Sequence, residues 1–229
     1  MSFPCECCRR SSWVSAHSSA PEDSLNPAVL QLMSNLDFPN AVKEIVAAAE
    51  YLRKTGSPKV GISGFCMGGA LALGASVGPM GSGIDACAPF YGVNFQLIQG
   101  DLKKIPVQAR PWAGTSRGSR LTEILLLGRT LLAQRELLSV HMQGHFGSED
   151  KMAGFSDVGA AKKLEEHLKA AGVPVEVFIY EGCDHGFMNS DEGKAGDLRR
   201  HMNFVHTPAG EREKAWDRLI SFFSKHLKH

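Results

Sequence analysis

The chain has 229 residues, 43% apolar and 21% charged, which suits one domain with a sizeable core and excludes wholesale disorder. Lys plus Arg number 25 against 24 Asp plus Glu, a net charge of +1, so no global attraction to nucleic acid or to an acidic membrane is expected. No apolar run reaches the ~18 residues of a membrane span. Of the six cysteines, Cys5, Cys7 and Cys8 crowd the start, while Cys66, Cys87 and Cys183 are scattered; this is no disulfide framework, and a reducing, cytoplasmic setting is expected.

Residues 1–36 are serine-rich and carry no periodic apolar run. They read as an irregular or disordered segment ahead of a domain over 37–229. They lack the apolar h-region of a secretory signal. Arg9 and Arg10 in this setting leave a mitochondrial transit segment as the alternative to the cytoplasm.

The first helix is expected from Asn40, its cap, through Val42, Ile45, Val46, Ala49 and Leu52 to a stop at Gly56. Residues 58–62 read as a short buried strand, followed by a glycine-rich turn and a helix over 67–77. Strand-length apolar runs follow at 84–90 and 141–147. An amphipathic helix spans 156–171, closed by Gly172, and the alternating run 175–180 is a strand. The last helix covers 210–227, with Trp216, Leu219, Ile220, Phe223 and Leu227 on one face. Strands alternating with helices predict an α/β fold, a mostly parallel sheet covered on both faces.

One block breaks the pattern. Residues 109–143 hold five arginines and no lysine, whereas the rest of the chain has 13 lysines and seven arginines. The block reads as an insertion, either a lid or translated non-coding sequence.

The strongest chemical signal is Gly64-Phe65-Cys66-Met67-Gly68-Gly69, between an expected strand and an expected helix. A nucleophile on so sharp a corner needs small neighbours. Gly64 and Gly68 flank it at two residues' distance, and Gly69 lets the helix approach the sheet. This is the pattern of a nucleophile elbow with Cys in place of Ser. Such a corner lifts the side chain clear of the sheet and aims the next backbone N–H, that of Met67, at a developing oxyanion. The bland alternatives are a buried Cys in a tight turn and a phosphate loop; the Gly-x-Gly of a dinucleotide fingerprint is absent.

A thiol with a pKa near ~8.5 needs a base to be nucleophilic at neutral pH. His185 is the best candidate, on a loop just after the 175–180 strand, where open α/β sheets place their crevice. His145 within a strand, His167 on a helix, and His201 and His206 in a polar region are weaker. The orienting acid should follow an earlier strand, and Asp150 fits. Asp157 suits a helix first turn, Asp184 adjoins the histidine and should point elsewhere, and Glu149 remains a rival. Tyr91, Phe146 and Phe187 are candidate pocket walls. Cys87 reads as core, and Cys183 as loop packing or a resolving thiol. No metal site is expected, because Cys5, Cys7 and Cys8 have no matched second cluster.

The elbow, Ala88-Pro89-Phe90-Tyr91-Gly92, Phe146-Gly147-Ser148-Glu149-Asp150 and Tyr180-Glu181-Gly182-Cys183-Asp184-His185-Gly186-Phe187 together resemble the dienelactone hydrolase (carboxymethylenebutenolidase-like) family over residues 37–108 and 144–227. The resemblance implies an α/β-hydrolase fold, a Cys66-Asp150-His185 triad, and hydrolysis of a small ester or lactone through a thioester, with no cofactor. Family members carry further strands before the elbow strand, and residues 1–36 do not show them, so the early strands are expected to be missing and the domain partial. That leaves an impaired fragment, or a thioesterase or peptidase on the same fold, as the alternatives. Where the archetype places a substrate-carboxylate arginine, this chain has Met188-Asn189. The expected partner is a small molecule, with no nucleic acid and no membrane.

Overall fold

The computed structural model describes residues 35–78, 83–96, 98 and 140–228. The calls on Cys5, Cys7 and Cys8, and almost all of those on segments 1–36 and 109–143, lie outside the described residues. The chain divides into two units, residues 1–36 and Asp37–His229, and the elements below all belong to the second.

Helix α1 (Phe38–Lys54) leads into strand β1 (Gly61–Phe65), helix α2 (Met67–Val77), strand β2 (Ala86–Phe90) and strand β3 (His141–Gly147). Helix α3 (Val158–Ala170), strand β4 (Val175–Tyr180), helix α4 (Gly193–His201) and helix α5 (Glu211–Leu227) follow. The four strands form one parallel sheet in the order β1-β2-β3-β4.

Local sequence accounts for most boundaries. Asp37, not Asn40, caps α1, accepting from the Asn40 N–H at 3.0 Å; Asn40 instead donates from its side chain to Glu44. Asp157 caps α3 by accepting from the N–H groups of Gly159 and Ala160, which satisfies two donors that the helix itself leaves unpaired. Helix α2, built from Ala, Gly and Leu, is apolar all round, and most of its residues are buried. The elbow strand starts at Gly61 rather than Pro58, and β2 at Ala86 rather than Ile84. Arg53 of α1 pins the start of this pair: its guanidinium lies 2.6 Å from Asp85, which also accepts from the Val60 N–H.

Two apolar clusters sandwich the sheet. One joins α1, α2 and α3 through Val42, Val46, Leu73, Leu164 and Leu168, with Phe146 and Met142 of β3. The other joins α5 through Ala215, Leu219 and Phe222 to Phe90, Tyr91, Tyr180 and Phe187. This cover on both faces, with a parallel sheet between, is the layered α/β architecture that the resemblance to an α/β-hydrolase implied. Two expectations about packing change. The buried side of α5 is Ala215, Leu219 and Phe222; Trp216 and Ile220 are 42% and 56% exposed. Helix α4 was not expected: its sequence is polar and glycine-containing, and only Gly196 and Arg199 are buried.

The register aligns the carboxyl ends of the strands. Phe65 pairs with Phe90, Phe90 with His145, and Gly147 with Tyr180. The chain therefore leaves β1 at Cys66, β2 at Tyr91, β3 at Ser148 and β4 at Glu181, all at one end of the sheet.

Candidate active site at the carboxyl end of the sheet

Cys66 occupies the corner between β1 and α2 with φ 55 and ψ −124. A non-glycine residue rarely adopts such a backbone, at a cost of order 1–3 kcal/mol. The corner holds because its surroundings leave no alternative. The Cys66 N–H donates to the Phe90 carbonyl at 3.0 Å, and the Cys66 carbonyl accepts from Gly69 and Ala70. A Cβ on Gly64 would lie 2.0 Å from the Gly68 carbonyl oxygen, and one on Gly69 2.7 Å from that of Phe90. A Cβ on Gly92 would lie 1.9 Å from the Cys66 carbonyl oxygen. Gly68 differs from expectation: a Cβ there would meet nothing within 4 Å. The crowding runs from Gly64 against the backbone of Gly68, not from Gly68 outward.

The Cys66 Sγ lies 3.1 Å from Nε2 of His185. On the other side of the ring, Nδ1 lies 2.8 Å from Oδ2 of Asp150 and 3.1 Å from Oγ of Ser156. The Asp150 side chain is fully buried, and its other oxygen accepts from the Met152 N–H at 3.0 Å. Burial works against a charged imidazole at His185, but its hydrogen bonds to Asp150 and Cys66 outweigh that and hold its pKa up at about 9. A carboxylate can only accept, so Nδ1 carries a proton in either charge state; once the ring is neutral, Nε2 faces the thiol as an acceptor. The Met67 N–H begins α2, where no intrahelical carbonyl is available to it.

Further residues fix the histidine loop. The Asp184 carboxylate accepts from the His185 and Val205 N–H groups. Arg199, only 4% exposed, donates to the His185 carbonyl at 2.8 Å and to the Val205 carbonyl, and pairs with Asp191. Tyr91 packs edge-on against His185 with ring centroids 5.1 Å apart. Phe204 and Phe155 stand 5.6 and 6.3 Å from the same ring.

Cys66, Asp150 and His185 are thus brought together, and Tyr91 borders them. Phe187 packs on Tyr91 at 5.4 Å, behind it. Phe146 is a correction: it projects to the other face of the sheet, into the cluster with α1, α2 and α3, because neighbours along a strand point to opposite faces. His145 is buried on the α5 side, stacked 4.1 Å from Phe90 and bonded to Tyr180 and Gln143. His167 bonds its own helix backbone at Lys163, and Glu149 accepts from neighbouring Ser148. Cys87 and Cys183 are buried, and burial raises both thiols, to about 12 and about 11.

Sequence reasoning missed Ser156, Arg199, Phe155 and Phe204. Ser156 precedes a capping aspartate and reads as capping polarity. Arg199 was concealed because the polar run that carries it gave no helical signal. A groove of about 540 Å³ runs along α5 past Gln143, Glu176 and Arg218; none of Cys66, Asp150 and His185 lines it. Among the described residues, no group of three or more His, Cys, Asp or Glu side chains is placed to hold a metal ion. No helix there is long and apolar enough to cross a membrane.

Comparison with known proteins places the arrangement. The chain is 25% identical over 209 residues to Protein usf of Aquifex pyrophilus, covering 90% of this chain and 69% of that protein. The fold is similar to that of a dienelactone hydrolase-like promiscuous phosphotriesterase from metagenomic libraries, with a TM-score of 0.54 and 17% identity over 89% of this chain and 67% of the other. It is also similar to MGS-M1, an alpha/beta hydrolase from a Medee basin deep-sea metagenome, with a TM-score of 0.50 and 15% identity over 81% of this chain and 64% of the other. The chain spans about two thirds of the length of these proteins. The family model for dienelactone hydrolases matches residues 18–115 and 128–227. The matched residues therefore include 18–36 and all of the arginine-rich block except 116–127. With the model covering most of the sequence, the chain belongs to the dienelactone hydrolase family.

Proposed function

We propose that the protein hydrolyses a small carboxylic ester or lactone, with Cys66 as nucleophile, His185 as general acid–base and Asp150 as its orienting carboxylate. The observation that carries this reading is the 3.1 Å approach of His185 Nε2 to a thiol held on a strained strand-to-helix corner.

His185 Nε2 takes the Cys66 proton as the sulfur attacks the carbonyl carbon. The carbonyl π pair moves onto oxygen, and the Met67 N–H donates to that oxyanion. The C–O bond to the leaving group breaks, and the imidazolium returns its proton to the departing alkoxide. A thioester remains on Cys66. Nε2 then deprotonates water, hydroxide adds to the thioester carbon, and the C–S bond breaks as the imidazolium returns that proton to sulfur, giving the acid and the free thiol. Throughout, Asp150 keeps the Nδ1–H tautomer and stabilises the positive ring. The aromatic border of Tyr91, Phe155 and Phe204 suits a compact, uncharged acyl or alkyl group.

The purified full chain is assayed on p-nitrophenyl acetate. Hydrolysis that Cys66→Ala abolishes, with an acetylated Cys66 detected by mass spectrometry after rapid acid quench, is expected. Equal turnover in the wild type and the variant would sink the proposal.

A further inference from the structure

We propose that Ser156 is a positioning residue for His185: its hydroxyl is a second acceptor on Nδ1–H and works alongside Asp150 to hold the ring and its positive charge. The inference rests on the reading of His185 as the base, but its test does not depend on turnover.

The geometry leaves the hydroxyl one role toward the ring. Asp150 Oδ2 at 2.8 Å requires the proton on Nδ1. A serine at 3.1 Å from that same nitrogen therefore accepts, sharing the proton in a three-centre arrangement. The alternative, a Ser156 O–H donating to a bare Nδ1, would move the ring proton to Nε2 and turn a donor toward Cys66. The nearby carboxylate opposes that state.

The local fold delivers both acceptors from one loop. The segment leaves β3, presents Asp150, and turns back through Asp150 Oδ1 accepting from the Met152 N–H. The Met152 carbonyl then accepts from the N–H groups of Phe155, Ser156 and Asp157. That closed turn brings Ser156, fully buried, to the ring just before Asp157 caps α3. The carboxylate and hydroxyl thus converge on one nitrogen from six residues apart. Among the described residues, the other charged or titratable groups around the ring are Cys66 at Nε2, Tyr91 on its edge, Asp184 on its backbone N–H and Arg199 on its carbonyl.

The test is an NMR titration of His185 in the full chain, comparing wild type, Ser156→Ala and Ser156→Cys. Removal of the acceptor should shift loss of the ring proton to lower pH by roughly half a unit to one unit, about three- to ten-fold in proton affinity. Ser156→Cys, with a weak acceptor of similar size, should fall between wild type and alanine. A His185 titration unchanged in both folded variants overturns the proposal. Variants that lose the native fold also overturn it, because the hydroxyl would then be structural. The titration reads the ring whether or not p-nitrophenyl acetate is hydrolysed, so failure here and failure of the hydrolase reading are separable.

Discussion

Cys66 and His185 stand 119 residues apart in the chain, yet Sγ and Nε2 approach to 3.1 Å. Neither residue is placed by its own element alone. Cys66 depends on β2 approaching so closely that only Gly92 fits beside its carbonyl, and His185 depends on Asp150, Ser156 and the α4 arginine.

The first prediction concerns the acid. Asp150→Asn keeps the size of the side chain but can present an NH2 group to Nδ1, which favours the wrong imidazole tautomer. Turnover of an activated ester should fall by ~1,000-fold or more while the thermal midpoint changes little by comparison. Stopped-flow assays and thermal unfolding of the same preparations check both halves. A ten-fold loss or less would mean that Asp150 does not set the tautomer.

How much of this was legible beforehand follows from the range of each signal. The elbow is a local pattern of six residues between a strand and a helix, so Cys66 and its corner could be read directly. Asp150 and His185 each lie on the loop that follows a strand readable in sequence, β3 from a short apolar run and β4 from its alternation. Phe146 failed because one residue of phase decides the face, and that phase is set by the pairing of β3 with β2 and β4, where His145 lies opposite Phe90 and Phe146 opposite Ile179. Ser156 failed for a different reason: its role is tertiary, set by a turn whose hydrogen bonds leave no mark in composition. Arg199 lies on a helix with almost no apolar face. The family match extends to residues 18–36, where no periodic run announced it.

The glycines of the elbow make a sharp second prediction. A methyl group on Gly64 would lie 2.0 Å from backbone that cannot swing away, whereas one on Gly68 meets open space. Gly64→Ala should therefore cost several kcal/mol, or prevent folding, as overpacking against fixed atoms does. Gly68→Ala sits inside α2 and should raise stability by roughly 0.5–1 kcal/mol through helix propensity. Urea unfolding of the two variants separates the cases, and equal destabilisation would contradict the steric reading.

The third prediction follows from His145. Burial, with Arg218 adding to it, pushes this imidazole down to about 3. Its unfolded value is near ~6.5. Between these two values the unfolded chain binds a proton that the folded chain refuses, so stability rises with pH across that window. The contribution is complete above ~6.5 and is lost as pH falls toward 3. His185 works in the opposite sense. Its folded value is raised to about 9, so its contribution is complete below ~6.5 and fades as pH rises through 9. His145→Gln, which keeps hydrogen-bonding capacity without titrating, should lower stability at pH 7 yet lose less on going to pH 4 than wild type does. Unfolding free energies at the two pH values give the comparison, and an identical loss in both proteins would refute the assignment.

The last prediction tests the phase of α5. Phe222 is 6% exposed in the cluster with Leu219 and Ala215, whereas Trp216 is 42% exposed and faces Phe65 with ring centroids 6.1 Å apart. A helix turns 100° per residue, so a face chosen on hydrophobicity alone can be rotated by a residue when tryptophan and isoleucine sit at its rim. Phe222→Ala removes a ring from a closed cluster and should cost about 3–5 kcal/mol, because a cavity remains where the ring was. Trp216→Ala gives up a contact already half open to water and should cost no more than about half as much. Because Phe65 directly precedes Cys66, the tryptophan variant should show itself in ester KM before it shows itself in the urea midpoint. A urea midpoint that falls as far for Trp216→Ala as for Phe222→Ala would restore the hydrophobic face expected from sequence.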